Sequence, residues 1–198
     1  MKLIIALTFL GILMCAFAED CVLKPPVANF NSEQYFAIRH SYVTYSKNGP
    51  ETKVCREYVT TKNTNGTTTT VYTIKDQTNP SGSNATCINT PKTGSNGQFS
   101  VTCTLSAGNE FQLTTSVVDT DHKTYVILQV CLNSGPGITD SGPGDILVLQ
   151  TDKNVEIPAV TKYIQGNTGQ WYSRKNSSLL KLSSIKTEKR KKETILLL

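Results

Sequence analysis

Residues 53–75 read KVCREYVTTKNTNGTTTTVYTIK, and this stretch decides the fold. Two runs rich in β-branched and aromatic residues, 53–61 and 67–75, flank the dipeptide Asn65-Gly66. Such a dipeptide between two alternating runs is a strong signal of a β-hairpin, because Asn and Gly tolerate the positive φ of a tight turn. The stretch therefore predicts two antiparallel strands.

Similar β-prone runs recur on both sides of this hairpin, and few segments show a helical period. They cover residues 41–47, 84–89, 98–105, 110–119, 122–132 and 145–151. Eight strands joined mostly by short turns favour an all-β, up-and-down antiparallel barrel, just wide enough to hold one small ligand. The alternative is a two-sheet sandwich, whose long crossover connections are not evident.

Two short helical segments frame the strands. Residues 32–36 follow an Asn/Ser cap and predict one helical turn near the N-terminus. Residues 157–165 begin with Pro158 in a first-turn position and carry apolar side chains at helical spacing, so they predict a short packed helix near the C-terminus.

The N-terminus has the features of a secretory leader. Lys2 precedes an apolar run over 3–13, and Ala16-Phe17-Ala18 forms a small-x-small cleavage site. The run is too short for a membrane span. We expect residues 1–18 to be a signal peptide, 19–178 to form one domain, and the mature protein to be secreted.

The cysteine count is odd once the leader is removed. Cys15 lies in the leader, and five remain: Cys21, Cys55, Cys87, Cys103 and Cys131. In an oxidising compartment these predict disulfides with one cysteine left unpaired. Secretion also makes the sequons at Asn65, Asn84 and Asn176 candidate glycosylation sites.

The net charge of +5 is concentrated outside the expected domain. Residues 179–198 hold six Lys or Arg against two Glu, whereas 19–178 hold equal numbers of basic and acidic residues. A neutral body argues against a nucleic-acid partner, whose binding proteins present a basic stripe. We expect 179–198 to be a disordered basic tail; alternatives are a heparin- or lipid-binding segment and a reading-frame change.

The sequence contains no constellation typical of an enzyme. His40 and His122 both stand beside turns, and no Cys-x-x-Cys, phosphate loop or Ser–His nucleophile motif occurs. Asp119 and Asp121 lack the further ligands of a calcium loop. We expect a binding protein without enzymatic activity, metal, cofactor or transmembrane segment.

Several motifs in order along the chain resemble the triabin-like salivary lipocalins of blood-feeding bugs, with procalin-like and pallidipin-like members nearest. They are CVLKPP at 21–26, YVTYSKNGP at 42–50, CREY at 55–58, NGQFSV at 96–101 and ILVLQT at 146–151, together with Asn29-Phe30 and Tyr35-Phe36. The similarity runs from the leader to about Ser178. It implies an eight-stranded lipocalin barrel over 19–178.

The resemblance also implies a disulfide pattern. Cys21 would pair with Cys131 and Cys87 with Cys103, whereas Cys55 would need a partner near the C-terminus that this chain lacks. Cys55 is therefore expected to be a free thiol or to link two chains. Related haem carriers hold haem through a histidine on an inner strand, and residues 67–90 contain none, so haem is not expected.

Candidate ligand-binding residues follow from strand alternation. If Cys55 points outward towards the C-terminal segment, then Arg56 and Tyr58 point into the barrel, where Arg56 would meet a carboxylate or cap one end of the barrel. Phe99 is expected in the wall. On the seventh strand either face could be the inner one; if Tyr125 and Gln129 face inward, they supply polar contacts.

The resemblance implies interference with platelet aggregation, coagulation or inflammation by a salivary protein. The preferred hypothesis is capture of an eicosanoid such as thromboxane, with Arg56 as the partner of its carboxylate. One alternative is a protein–protein inhibitor of a clotting protease. The other is a scavenger of biogenic amines, or a carrier detected mainly as an allergen.

Overall fold

The structure is a computed structural model that describes residues 21–48, 55–75, 83–135 and 144–175. These residues form two short helices and nine strands. In chain order the elements are α1 (Ser32–Ala37), β1 (His40–Ser46), β2 (Cys55–Lys62), β3 (Thr68–Lys75), β4 (Ser83–Pro91), β5 (Gln98–Leu105), β6 (Glu110–Thr120), β7 (Tyr125–Ser134), β8 (Asp145–Gln150), α2 (Pro158–Gly166) and β9 (Tyr172–Ser173).

Eight antiparallel strands close into a barrel. Strands β2 to β8 pair in sequence order, and β1 pairs with β8 on one edge and with β2 on the other. The closing register joins His40 to Val59 and Tyr42 to Glu57 across β1 and β2, and Val43 to Leu149 across β1 and β8. The predicted barrel is confirmed.

The turn of the β2–β3 hairpin fixes which residues of β2 and β3 lie opposite each other. Asn63 N–H donates to the Thr67 carbonyl, which leaves a three-residue loop ending at Gly66 with φ of +80°. This conformation suits glycine because it has no Cβ. The pairing places Tyr58 opposite Tyr72 and Thr60 opposite Thr70.

One end of the barrel is closed by α1, whose first turn is capped by Asn31 through a side-chain bond from the Gln34 N–H. Phe99 stands at the centre of the closure, with the rings of Phe30, Tyr35 and Phe36 at centroid distances of 6.0, 6.1 and 5.4 Å. Aromatic pairs at such distances add to the apolar burial. We call this end the floor.

A second apolar core lies outside the barrel, between its wall and α2. Val160 of α2 packs with Tyr125, Ile127 and Val148, and Trp171 borders the same cluster. Strand β7 is consequently buried on both faces, one towards the barrel interior and one under this outer layer.

The N-terminal segment is fastened to the outer wall by a disulfide and hydrogen bonds. Cys21 is bonded to Cys131 of β7, and the Lys24 carbonyl accepts a 2.7 Å bond from the Ser116 hydroxyl. Gly144 lies against this bridge, where a Cβ would clash with the Cys21 sulfur. The second implied disulfide, Cys87–Cys103, joins directly paired residues of β4 and β5.

Strand β9 has no counterpart among the predicted strands, because two residues carry no periodic signal. It forms because β2 covers only the first half of the β1 edge, and β9 pairs with Tyr45 and Ser46 beyond it. Cys55 is unpaired in the described structure and half-buried, and its thiol lies 3.7 Å from the Arg174 carbonyl that follows β9. The C-terminal segment therefore does reach Cys55.

The expected signal peptide at 1–18, most of the expected basic tail and the sequon at Asn176 lie outside the described residues. Asn65 and Asn84 are exposed, as a glycan would require, and their modification stays a prediction. No helix among the described residues is long and apolar enough to cross a membrane.

We expect the two disulfides to contribute unequally to stability. The Cys21–Cys131 bridge spans 110 positions and the Cys87–Cys103 bridge spans 16. In the loop-entropy model, closing about 100 residues is worth about 4.7 kcal/mol and closing about 15 residues about 3 kcal/mol. Replacing the first pair by alanine should therefore lower the free energy of unfolding, measured by denaturant titration, by more than replacing the second; the reverse order would contradict the model.

Cys55 should behave as a shielded free thiol. We expect a thiol reagent to label one cysteine per mature chain in denaturant and to react much more slowly in the native state, because the sulfur is half-buried against the Arg174 carbonyl. The Cys55→Ala variant should show no labelling under either condition. Full labelling of the native protein at the rate of the denatured protein would contradict this placement.

Candidate ligand-binding site

The barrel encloses a cavity of about 660 Å³. This volume falls within the usual range of sites for small ligands. The cavity extends from the floor towards the opposite end of the barrel, where Asn48, Gly144 and Asp145 line it. We call this opposite end the mouth; three of the strand connections there include residues outside the described ranges.

The cavity has an apolar wall and a polar wall. The apolar wall comes from β5 to β8, and its lining side chains include Phe99, Val101, Leu113, Val126, Leu128, Leu147 and Leu149. The polar wall comes from β2 to β4, and its lining side chains include Arg56, Tyr58, Thr60, Thr70, Tyr72 and Asn89. A ligand that fits both walls is amphipathic.

Arg56 stands on the polar wall towards the mouth, close to a second guanidinium and one carboxylate. Burial lowers the pKa of Arg174, and the positive charge of Arg56 lowers it further. The negative charge of Asp145 raises it. Asp145 is already occupied: it accepts bonds of 2.7 Å from the Ser46 hydroxyl and of 3.1 and 3.0 Å from the backbone N–H groups of Lys47 and Asn48. Among the described residues, this part of the site therefore brings together two guanidinium groups and one carboxylate.

Three tyrosines extend the polar wall from Arg56 towards the floor. Burial raises the pKa of Tyr58, while Arg56 lowers it, so the guanidinium and the phenol interact. Burial and the neighbouring Tyr58 raise the pKa values of Tyr35 and Tyr72, and the rings of Tyr58 and Tyr72 stack at 5.4 Å. All three therefore stay protonated at physiological pH and can donate hydrogen bonds.

A cluster of polar side chains lies on the same wall nearer the floor. The Asn89 side-chain amide donates to the Thr70 hydroxyl at 3.0 Å and to the carbonyl and hydroxyl of Thr68 at 3.2 Å each. The Thr60 and Thr70 hydroxyls are 2.9 Å apart. Polar groups at this depth are costly unless they are hydrogen-bonded, and the cluster meets most of that requirement internally.

Three of the five predicted ligand-binding residues line the cavity. Arg56 and Tyr58 lie on the polar wall, and Phe99 joins the apolar wall to the floor. The inward placement of Tyr125 and Gln129 is wrong. Tyr125 packs under α2 and donates a 3.2 Å bond to Asp119, and Gln129 binds the N-terminal segment through Lys24 N–H at 2.6 Å.

The error on β7 has a physical cause. Both faces of this strand are buried, so hydrophobic alternation does not distinguish them, and the lumen is lined by Val126, Leu128 and their neighbours instead. The disulfide implied by the resemblance would have identified the outer face of β7. Cys131 must face outward to reach Cys21, and residues 129 and 125 share its face.

Thr60, Thr70, Tyr72 and Asn89 are cavity residues that the sequence analysis missed. Continuing the alternation Arg56–Tyr58 by two positions reaches Thr60. In a hairpin that turns at Asn65-Gly66, Thr60 pairs with Thr70 and Tyr58 pairs with Tyr72, so these two β3 residues also face the cavity. Asn89 ends the predicted strand 84–89, and only the pairing of this strand with β3 and β5 shows that its side chain lines the cavity.

The described residues contain no group of three or more His, Cys, Asp or Glu side chains placed to hold a metal ion. Among those lining the cavity, Asp145 is the one acidic side chain, and its oxygens already accept three bonds. The arrangement can bind an amphipathic molecule, exclude water from its apolar part and neutralise an anionic group at Arg56.

A closed eight-stranded barrel with a ligand-sized interior and a helix packed on its wall places the protein in the lipocalin-type class of barrels. The Triabin family profile matches residues 15–163, and the chain belongs to this family. It is 50% identical to pallidipin of Meccus pallidipennis over 183 residues, covering 88% of this chain and 95% of pallidipin. It is also 50% identical to the platelet inhibitor triplatin-2 of Triatoma infestans over 182 residues, covering 88% and 97%.

Solved structures share the fold at lower identity. An LTBP1 mutant in complex with leukotriene C4 superposes with a TM-score of 0.60 at 22% identity, covering 80% of this chain and 96% of that one. The tryptamine complex of the amine-binding protein of Rhodnius prolixus gives a TM-score of 0.59 at 22% identity, covering 74% and 78%. These two structures bind chemically different ligands, so they support the fold and leave the ligand class to the residues of this cavity.

The raised tyrosine pKa values predict loss of stability at high pH. Burial, followed by Asp119, raises the pKa of Tyr125 to about 12, above the ordinary value of about 10. The unfolded chain therefore releases these protons first. The contribution that this pKa difference makes to the free energy of unfolding is complete below about pH 10. It is lost as the pH rises through the pKa that the tyrosine has in the folded protein. We expect tyrosinate absorbance to rise together with loss of the near-UV circular dichroism.

Tyr125→Phe provides the control. It removes one titrating group, so the fall in the free energy of unfolding between about pH 10 and 12 should become shallower by up to about 1.4 kcal/mol per pH unit. At neutral pH the variant should lose about 1 kcal/mol with the bond to Asp119. An unchanged alkaline slope would mean that Tyr125 titrates freely in the folded protein.

Proposed function

We propose that this protein is a secreted salivary lipocalin that captures an amphipathic carboxylate, of the eicosanoid class, inside its barrel and so impairs platelet aggregation. The observation that carries the proposal is Arg56 on the polar wall of a cavity whose opposite wall is apolar. A guanidinium at this position gains most from an anionic partner, and an apolar wall gains most from a hydrocarbon chain. A fatty-acid derivative supplies both.

The charges that the described residues place around the site favour an anion over an amine. The Arg56 and Arg174 guanidinium groups interact at the mouth, and Asp145 already accepts bonds from Ser46, Lys47 and Asn48. An ammonium group would have to displace one of these donors while remaining near two positive charges. A carboxylate instead meets the guanidinium directly and can accept a further bond from Tyr58.

The relatives support the biological setting. One half-identical relative carries the name platelet inhibitor, and the match extends over nearly all of both chains. A capture mechanism fits that outcome, because a scavenger lowers the free concentration of a lipid mediator before the mediator reaches its receptor. Inhibition of a clotting protease through the outer surface is the second class of mechanism, and no observation on the described residues favours it.

Arg56→Ala should weaken binding of an eicosanoid carboxylate by about 10- to 100-fold. Charge-assisted hydrogen bonds contribute about 1.5–3 kcal/mol, and 1.4 kcal/mol corresponds to tenfold in affinity. Titration calorimetry with a stable thromboxane analogue measures this loss directly. The methyl ester of the same analogue is the matched ligand control: it should bind the wild type more weakly and should lose little further affinity in the variant.

Aggregation assays test the same proposal at the level of function. The wild-type protein should block platelet aggregation induced by the thromboxane analogue, with a potency that follows ligand stoichiometry, and Arg56→Ala should block it poorly. Thrombin-induced aggregation and clotting time should remain unaffected. Prolonged clotting by a protein that binds no eicosanoid would replace capture with protease inhibition.

A further inference from the structure

We infer that a cluster of polar side chains around Asn89, near the floor, recognises a second polar group on the ligand, far from its carboxylate. We define this cluster as Asn89, Thr60, Thr70 and Thr68. The inference rests on the proposed function and deepens it: the preferred ligand is a fatty acid that carries an oxygen function remote from its acid group, rather than a plain fatty acid.

The orientation of the Asn89 amide is fixed by its partners. The Thr68 carbonyl at 3.2 Å can only accept, so the amide nitrogen, and not the oxygen, must face Thr68. For the amide oxygen Oδ1, the described residues provide no hydrogen-bond partner, and Asn89 lines the cavity. The cluster therefore presents one unused acceptor to a ligand.

The two threonine hydroxyls supply the complementary donor. Thr60 and Thr70 share one hydrogen bond of 2.9 Å, and the Thr70 oxygen also accepts from the Asn89 amide. Whichever hydroxyl donates within this pair, the other keeps its proton, for which the described residues offer no acceptor. Both side chains line the cavity. One free acceptor and one free donor together match a single hydroxyl group, which needs both.

The distance between this cluster and Arg56 sets where the second group must lie. Arg56 and Thr60 are four residues apart on one face of β2, which corresponds to about 13 Å along the strand. Tyr58 lies between them, stacked on Tyr72. The ligand's hydrocarbon chain can then cover the apolar wall between its two polar ends. A plain fatty acid would place hydrocarbon against the donor and the acceptor of the cluster and leave both without hydrogen-bond partners.

The test compares octadecanoic acid with its derivative that has a hydroxyl on the twelfth carbon, by displacement of a bound fluorescent fatty acid. Wild-type protein should bind the hydroxylated acid about tenfold more tightly, the effect of about one net hydrogen bond in a buried site. A derivative with its hydroxyl on the second carbon, beside the carboxylate, should gain nothing from the cluster. Equal affinity for the plain and the twelfth-carbon acid would overturn the inference.

Two variants locate the effect. Asn89→Leu and the isosteric Thr70→Val should each reduce the preference for the hydroxylated acid to near unity while leaving octadecanoic acid bound, which also shows that the variant is folded. Thr115→Val, a buried lining threonine on β6 outside the cluster, is the control and should keep the preference. A preference lost in Thr115→Val but kept in Asn89→Leu would overturn the assignment.

The two proposals fail in distinguishable ways. If no fatty acid displaces the probe from the wild type, carboxylate capture fails and the second contact fails with it. If the plain acid binds in an Arg56-dependent manner and the hydroxyl adds nothing, carboxylate capture stands and the Asn89 cluster is a structural element of the barrel wall only.

Discussion

Closure of the sheet through β1 is the constraint on which the remaining structure depends. Because β1 pairs with β8 on one edge and β2 on the other, every strand alternates between an enclosed interior and an outer face. Closure also leaves half of one β1 edge uncovered. That half-edge recruits β9, and β9 in turn places the backbone after it against Cys55.

The enclosed interior explains why polar residues here are informative. Outside the barrel, a threonine or an asparagine on a strand exchanges one hydrogen bond with water for another at little cost. Inside, each unpartnered polar atom costs free energy, so the positions of such atoms reflect what fills the cavity. Most of the polar side chains that line the middle of the cavity lie on β2 to β4, and they face a mainly apolar wall from β5 to β8. This division implies a ligand with two chemically different sides.

The sequence predicts most of the fold because its turns are explicit. Asn65-Gly66 marks a hairpin whose register follows from its loop, and the alternation on β2 correctly directs Arg56 and Tyr58 inward. Prediction failed where burial is two-sided. On β7 one face lines the lumen and the other packs under α2, so Tyr125 and Gln129 follow the same pattern as true lumen residues. The two-residue β9 and the partners of Asn89 depend on contacts between distant parts of the chain, which periodicity does not encode.

Cys55 lies where the barrel meets the C-terminal segment. The resemblance implies a bridge from this position to the C-terminal region, and the structure brings the backbone at Arg174 within 3.7 Å of its sulfur. Burial of Arg174 and its bond to Ser46 then hold the C-terminal segment at this site without a covalent link. Because Arg174 also interacts with Arg56 and Asp145, the segment that replaces the bridge contributes to the charge of the ligand site. The short segment at residues 172–174 therefore both pairs with the β1 edge and brings a second guanidinium group near Arg56.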